Sequence, residues 1–338
     1  MICPPNMHRW LAVAGAVCAV ALAPSPAAKT LKIATVSPDG SSWMKTLRRA
    51  GDDLDAATAG RLTLRFYPGG TMGDDASVLK RIRVGQLHGG LVLTTTFANI
   101  YPDVQVYNLP MVFRNLEEVD AVREAMDPVL MSGFRDHGFL ALGLSEVGMA
   151  YPMGTRRARS VADARKLKVW APQGDAAAVR MLRAFSITPI QMPIGEVLTG
   201  LSTGLIDTVA SPPVATLPLL WHTRLKFVLD LPLMYVYGTL VVSERALRGV
   251  QSEDVAALEQ IVGGAMAETD RQNRADHDAA RQVLADQGLA FIDLTPPELA
   301  DWRKNAAVAR ADWVDKGVIS VGIHDAIVTR LAEIRADL

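Results

Sequence analysis

The sequence predicts an α/β fold arranged in two lobes. Strand-like segments with alternating apolar and polar residues are followed by helix-like segments along most of the chain. The 338 residues exceed what one hydrophobic core usually organises. A helical segment over 252–287 would be roughly 50 Å long at ~1.5 Å per residue, which is longer than a small domain is wide. This helix is therefore predicted to connect two parts of the molecule.

The first strands and helices follow one another with clear turn signals. A strand over 31–36 alternates apolar and polar residues and ends at the turn cluster Ser37-Pro38-Asp39-Gly40. Asp74 and Asp75 precede a helix in the position where its dipole favours acidic side chains. In this part of the chain, strands are predicted over 31–36, 62–67 and 89–96, and helices over 42–58 and from Asp75 onward.

The same alternation continues in the second part of the chain. The sequence Thr295-Pro296-Pro297-Glu298 is a capping box that opens a final helix. Gly263-Gly264 lies inside the longest helical segment and predicts a kink there. Strands are predicted over 139–144, 167–170, 187–192, 206–210 and 236–242, and helices over 175–185, 195–203 and 252–287.

The composition excludes several classes of protein. With 49% hydrophobic and 21% charged residues, the chain is neither a disordered nor a collagen-like sequence. Its 35 basic and 36 acidic side chains give a formal net charge of −1. This balance argues against a general polyanion-binding surface, so no nucleic-acid partner is predicted.

The N-terminus has the pattern of a secretory signal peptide. A short basic start, an apolar run and a small-residue exit follow one another within residues 1–28. Cleavage is predicted between about Ala23 and Ala28, which would export the mature protein to the periplasm. Both cysteines, Cys3 and Cys18, lie in this segment, so the mature chain would contain none. The alternatives are a lipoprotein anchor at Cys18 and a buried N-terminal helix.

The sequence contains none of the common catalytic or cofactor-binding motifs. It lacks the glycine-rich dinucleotide and phosphate loops and the Gly-x-Ser-x-Gly elbow. His277, between Asp276 and Asp278, is interpreted as part of a solvated helical face, because the two acids point to different sides of a helix. No catalytic residue, metal ligand or cofactor is predicted, and the protein is predicted not to be an enzyme.

Several short motifs occur in an order that resembles one protein family. Together they resemble the DctP-type solute-binding proteins of TRAP (tripartite ATP-independent periplasmic) transporters over about residues 31–335. The motifs are Lys32-Ile33-Ala34, Phe66-Tyr67-Pro68-Gly69-Gly70, Gly73-Asp74, Arg83-Val84-Gly85-Gln86-Leu87, Leu109-Pro110-Met111-Val112-Phe113, Lys166-Leu167-Lys168-Val169, Glu196-Val197, Gly204-Leu205-Ile206-Asp207 and Leu231-Pro232.

The resemblance implies a periplasmic binding protein of the type II-like class. Such a protein has two α/β lobes joined by hinge strands and spanned by a long kinked helix, and it closes by hinge bending around a small-molecule ligand. TRAP membrane subunits are the implied partners. The predicted lobes are lobe I over 29–147 and 236–275, and lobe II over 148–235 and 276–338.

The ligand is predicted to lie in the cleft between the lobes, where loops follow the carboxyl ends of strands. The predicted ligand-binding residues are Trp43, Asp74, Thr95, Phe97, Tyr151, Lys168, Trp170, Gln173, Ile194, Ser211, Pro212 and Tyr237.

Trp170 is the main departure from the family pattern. Relatives that carry organic acids have an arginine at this position, and a second arginine that would fall at Ala150 or Tyr151 is also missing. A guanidinium matches a carboxylate with two donors, whereas an indole offers one donor on an apolar ring. Because a buried carboxylate without a cation is costly, the predicted ligand is apolar or amphipathic, either lipid-like or a hydrophobic acid.

Other interpretations stay open at this stage. Lys168 is two residues before Trp170 and would share its face on a strand, so a small monocarboxylate held by Lys168 is the alternative ligand. Val169-Trp170 with Gly174-Asp175 also resembles a TRAP branch with a periplasmic tetratricopeptide-repeat partner and hydrophobic ligands. A sensory binding module and an enzyme of the same fold are the remaining alternatives.

Overall fold

The structure is a computed structural model that describes residues 28–336. The predicted signal peptide and its cleavage site therefore lie outside the described residues. The strands are β1 (Lys29–Thr35), β2 (Leu62–Tyr67), β3 (Gly89–Leu93), β4 (Phe139–Gly154), β5 (Trp170–Pro172), β6 (Ile190–Met192), β7 (Thr208–Ser211), β8 (Phe227–Leu229), β9 (Met234–Ser243) and β10 (Ala290–Ile292).

Helices alternate with these strands, as the sequence predicts. The α-helices are α1 (Ser42–Ala57), α2 (Asp75–Arg83), α3 (Leu116–Asp136), α4 (Val161–Ala164), α5 (Ala176–Ala184), α6 (Val197–Thr203), α7 (Pro213–Thr216), α8 (Glu244–Leu247), α9 (Ser252–Asp286), α10 (Pro296–Asp315) and α11 (Val321–Ala336). Short 3₁₀ helices cover Thr94–Phe97, Pro102–Asn108, Ile194–Glu196 and Trp221–Thr223.

Local sequence signals explain most of the helix starts. Asp74 caps α2 by accepting a hydrogen bond from the Ser77 N–H, and Asp175 caps α5 by accepting one from the Ala178 N–H. The capping box predicted at Thr295 and Glu298 is present at the start of α10.

One continuous sheet forms the frame of the molecule. Its strand order is β10-β8-β4-β9-β3-β1-β2, and β7 also pairs with β4. β4 is the long element of this sheet: it pairs with β9 along residues 139–150 and then with β7 and β8 along residues 151–154. β5 and β6 form a separate parallel pair. β4 and β9 therefore belong to both halves of the fold.

The two-lobed α/β fold is confirmed. We use lobe I for the part that contains β1–β3 and α1–α3, and lobe II for the part that contains β5–β8 and α4–α7. Helix α9 runs along both: its Asp254 pairs with Arg61 at one end, and its Arg281 pairs with Asp230 at the other. After α9, α10 packs on α5 and α11 packs on α3. The predicted residue boundaries of the lobes stay a prediction.

Several elements differ from their prediction. The strand predicted over 139–144 continues to Gly154, because Gly143 and Gly148 adopt positive φ angles that shift the pairing register without ending the strand. The sequence predicted neither α3 nor α11. At the predicted kink, α9 continues as one helix, and Gly263 lies against the carbonyl oxygen of Leu142 on β4.

Within residues 28–336, no helix combines the length and apolar character needed to cross a bilayer.

Candidate functional site

Trp170 occupies a buried position at the start of β5. Its side chain is 7% exposed, and its indole N–H donates a hydrogen bond of 3.0 Å to the Met192 carbonyl. Its ring packs edge-on against Trp221, with 5.2 Å between the centroids. The single polar group of the indole is therefore satisfied inside lobe II, and only apolar ring surface is left for other contacts.

Lys168 does not share this environment. The strand predicted from residue 167 begins at Trp170, and the Lys168 side chain is exposed whereas that of Trp170 is buried, so the two do not share one environment. The Lys168 ammonium is exposed and donates to the Gly204 carbonyl at 2.8 Å.

Gln173 is also exposed, and its backbone N–H donates to the Met192 carbonyl. Ile194 is partly buried against the main core.

The section of β4 over 146–148, which we call the hinge, is hydrogen-bonded to α9, and α9 is hydrogen-bonded in turn to α1. The Asn273 amide on α9 donates to the Glu146 carbonyl at 2.5 Å, and the Trp43 indole N–H donates to the Asn273 oxygen at 2.5 Å. The backbone N–H of Glu146 donates to Asp270 at 2.6 Å. Trp43, which the sequence predicted at the cleft, is thus connected through one amide to the strand that crosses between the lobes.

His277 packs against the same hinge, one helical turn after Asn273. It is 3% exposed, and its Nδ1 is buried without a hydrogen-bond partner among the described residues. Burial lowers the pKa of His277, and the nearby Glu146 charge opposes that effect. The interpretation of His277 as a solvated residue is therefore wrong, because the inner face of α9 points at the hinge.

Three predicted site residues surround this histidine. Pro212 and His277 both lie close to Gly148, within 4 Å of where a side chain there would begin. The Tyr151 ring lies 6.2 Å from the imidazole, and Ser211 is its register partner on β7. The structure thus brings Tyr151, Ser211 and Pro212 together beside the hinge.

Arginines near the hinge are already paired with acids. Arg123 pairs with Asp127 and Asp270 at 2.9 Å each. Arg274 contacts the buried Glu146 carboxylate at 2.5 Å.

Arg281 pairs with Asp230 at 3.0 Å, and its guanidinium lies 4.8 Å from the centre of the Tyr151 ring. Tyr151 is one of the two positions, with Ala150, at which the resemblance leads us to expect a second arginine. A cation thus approaches this position from α9, but its charge is neutralised by Asp230.

The two lobes meet at a junction formed by β3, α2 and the turn before α5. The Thr95 hydroxyl of lobe I donates to the Asp175 carboxylate of lobe II at 3.1 Å. Gly174, with φ of +80°, lies against Ala76: an added Cβ would be 3.1 Å from the Ala76 methyl. Asp74, in the same region, caps α2 through the Ser77 N–H at 2.8 Å. The structure therefore has its lobes in contact at this point.

Two carboxyl groups of this junction have perturbed acidity. Burial, with smaller contributions from the charges of Asp175 and Asp74, raises the pKa of Asp75 to about 7, although the Leu93 N–H opposes the shift. Burial also raises the pKa of Asp175 above its usual range, against hydrogen bonds from Ala178 and Thr95.

Two residues predicted at the cleft belong to the core of lobe I. Phe97 is fully buried and packs edge-on against Phe134 and Phe139, with centroids 5.1 Å and 5.0 Å away. Tyr237 is 1% exposed, and its hydroxyl donates to the Val104 carbonyl. These aromatic side chains pack within the core of lobe I, and their contact with a ligand stays a prediction.

An apolar cavity of about 50 Å³ lies inside lobe II. Val169, next to Trp170 in the chain, lines it together with Phe185 and Trp302.

Sequence reasoning missed the roles of Asp75, Asn273 and His277. Asp75 was recognised only as an acid that opens a helix, and the burial of its carboxyl group and the nearby charge of Asp175 depend on tertiary packing. For Asn273 and His277, a spacing of four on one helical face was the available signal.

Comparison with known proteins connects this geometry to a family. Residues 33–315 match the family model DctP, described as bacterial extracellular solute-binding protein, family 7. The 2,3-diketo-L-gulonate-binding periplasmic protein YiaO of Escherichia coli (strain K12) is 24% identical over 190 residues, which cover 56% of this chain and 58% of YiaO. The sialic acid-binding periplasmic protein SiaP of Vibrio cholerae is 24% identical over 191 residues, covering 55% and 58%. The matched part spans between 49% and 61% of the length of the first curated relatives.

Solved structures share the fold at lower identity. The Bordetella pertussis extracytoplasmic solute receptor DctP7, which binds pyroglutamic acid, aligns with a TM-score of 0.81 and 19% identity over 90% of this chain and 100% of DctP7. The sugar acid-binding protein DctPAm of Advenella mimigardefordensis, in complex with galactonate, aligns with a TM-score of 0.82 and 16% identity over 91% of this chain and 99% of DctPAm. Because the family match extends over most of the chain, this protein belongs to the DctP family, the bacterial extracellular solute-binding proteins of family 7.

Proposed function

We propose that the protein is the periplasmic solute-binding component of a TRAP transporter and captures an apolar or amphipathic ligand between its lobes. Family membership supports the transport role, and hinge strands shared by two lobes suit closure around a ligand. The TRAP membrane subunits would receive the ligand. A periplasmic tetratricopeptide-repeat protein is a further proposed partner, on the sequence resemblance alone.

The environment of Trp170 is the main support for an apolar ligand. The indole N–H already donates to the Met192 carbonyl, so this side chain has no donor left for a carboxylate. The hinge arginines Arg123, Arg274 and Arg281 are each paired with an acid. A carboxylate ligand that used one of these three arginines would have to displace its acid, whereas an apolar group needs no such exchange.

An organic acid is the second candidate ligand. It is favoured by the relatives, since YiaO, SiaP and the galactonate-bound DctPAm are all described with acidic ligands. The cation predicted for this case is Lys168, but its ammonium is exposed and hydrogen-bonded to Gly204. Loss of acid binding on the substitution Lys168→Ala would favour this second candidate.

The test is to identify what the folded protein retains. The mature protein should be purified from a bacterial periplasm without denaturant, extracted with organic solvent, and the extract analysed by mass spectrometry. The expected result is a lipid-like or other amphipathic species in near-stoichiometric amount. Recovery of only small polar acids, or their tight binding in calorimetry, would contradict the proposal.

A pair of variants at one position sharpens this test. Trp170→Arg introduces the guanidinium of the acid-binding relatives and should reduce the retained apolar species by roughly tenfold, which corresponds to about 1.4 kcal/mol. Trp170→Phe keeps an apolar ring and serves as the matched control, which should retain most of the species. Thermal melting of both variants would establish that each is folded.

A further inference from the structure

Asp75 is a buried acid with one unpaired oxygen. Its Oδ2 accepts a hydrogen bond from the Leu93 N–H at 2.9 Å, whereas its Oδ1 is buried and has no partner among residues 28–336. Buried polar atoms in folded proteins are almost always hydrogen-bonded, because an unpaired acceptor loses its hydration without compensation. This oxygen therefore has a free acceptor position at the junction of the lobes.

The surroundings of this oxygen are rich in acceptors. Asp175 approaches from lobe II, but its two oxygens already accept hydrogen bonds from the Ala178 N–H at 2.9 Å and the Thr95 hydroxyl at 3.1 Å. Gly174 lies against Ala76 on α2, next to Asp75 in the chain.

The charged groups around the junction do not fill the position. Asp74 is a second acid of the same helix turn, and its side chain caps α2. Arg180 on α5 is the cation that influences Asp175, but its guanidinium donates to Gln105 at 3.3 Å and lies over the Trp313 ring at 5.7 Å. The junction thus offers acceptors to an incoming group.

We propose that Asp75 Oδ1 accepts a hydrogen bond from the head group of the bound ligand, and that this head group is a donor, a hydroxyl or an ammonium. This rests on the proposed function, since it places one end of an amphipathic ligand at the junction of the lobes. A donor would complete the hydrogen bonding of Asp75, whereas a carboxylate would face the acceptor oxygens of Asp75 and Asp175 with acceptors of its own. The ligand class is therefore an aliphatic alcohol or amine.

The test compares three probes with one alkyl chain and different head groups. Octylamine, 1-octanol and octanoate should be titrated into the ligand-stripped protein by calorimetry at pH 8. The ammonium probe is expected to bind at least about tenfold more tightly than octanoate, because a charge-assisted hydrogen bond forms in one case and like charges meet in the other.

The variant Asp75→Asn reverses the polarity of the site. Its amide oxygen keeps the bond with the Leu93 N–H and its NH₂ group replaces Oδ1. Octylamine should lose about tenfold or more in affinity, and octanoate should bind at least as well as before. Asp53→Asn, an exposed position on α1, is the matched control and should leave all three affinities unchanged.

Each outcome decides the question. Tighter binding of octanoate than of octylamine by the unaltered protein, or an unchanged order in Asp75→Asn, would overturn the role of Asp75 while the proposal of an apolar ligand stood. Binding of none of the three probes would overturn both. Melting curves of the variant would show whether it is folded.

Discussion

Asp75 also makes the stability of the protein depend on pH. Its pKa of about 7 in the fold exceeds the unperturbed value near 3.9, so the folded state binds more protons between about pH 4 and 7. The free energy of unfolding contributed by this group should therefore fall as the pH rises through that range and level off above it. Urea unfolding should show a stability difference between the parent protein and Asp75→Asn that favours the parent more at pH 5 than at pH 8.

The size of that change follows from the shift. Each pKa unit corresponds to about 1.4 kcal/mol, so a change of at least about that amount is expected between the two pH values. Asp53→Asn, an exposed carboxyl on α1, controls for charge alone and should show no such trend. A parent-to-variant difference that stays constant with pH would contradict the burial of the Asp75 carboxyl group.

The roles of some residues can be predicted from the local sequence, whereas the roles of others depend on how the chain packs. Trp170 was identifiable because the resemblance carried by the motif before it leads one to expect an arginine at this position. His277 was misinterpreted because its neighbours Asp276 and Asp278 are polar, although the histidine itself is 3% exposed. Lys168 was misplaced for a similar reason: the face that a residue shares depends on where its strand begins.

The two glycines inside α9 provide a test at the level of the secondary-structure element. Gly264 has open space around it, whereas an added Cβ at Gly263 would lie 3.2 Å from the Leu142 carbonyl oxygen. Gly264→Ala should stabilise the protein by about 0.5–1 kcal/mol through helix propensity. Gly263→Ala gains the same propensity but crowds β4, so its thermal midpoint should lie below that of Gly264→Ala. Equal midpoints would show that α9 does not approach β4 as described.

Elements with strong local signals were predicted well. The capped helices α1, α2, α5 and α10 and the strands β1 and β2 lie within a few residues of their predicted positions. The strand β4 was predicted only as far as residue 144, yet pairing with β9 and then with β7 and β8 continues it past the positive-φ Gly148. Partner strands distant in sequence decide this outcome, and local patterns do not contain them.

At the scale of the whole molecule, the Thr95–Asp175 hydrogen bond should bias the lobes toward contact. Thr95→Val keeps the shape of the side chain and removes the donor, so the protein without ligand should populate more open conformations. Small-angle X-ray scattering should then give a larger radius of gyration than for the parent. Thr63→Val, which removes a hydroxyl that donates to Thr30 on the neighbouring strand, is the control. An unchanged radius in Thr95→Val would mean that this bond does not hold the lobes together.

The molecule as a whole was predictable because its length, the α/β alternation and one very long helix all indicate two lobes. The contact between those lobes was not predictable. It joins Thr95 to Asp175 and Ala76 to Gly174, which are far apart in the sequence. The same limit applies to the buried carboxyl group of Asp75, because its burial depends on tertiary packing.

The shared elements β4, β9 and α9 have a consequence for how such a protein evolves. The chain passes between the lobes three times along these elements, and β4 alone pairs with strands on both sides. The chain returns to lobe I once more between α10, which packs on α5, and α11, which packs on α3. Recombination between relatives would therefore need four coordinated crossovers to exchange one lobe, three of them inside a packed strand or helix. A change of cargo in this architecture is therefore reached more readily by point substitution at positions such as Trp170 than by inheriting half of another protein.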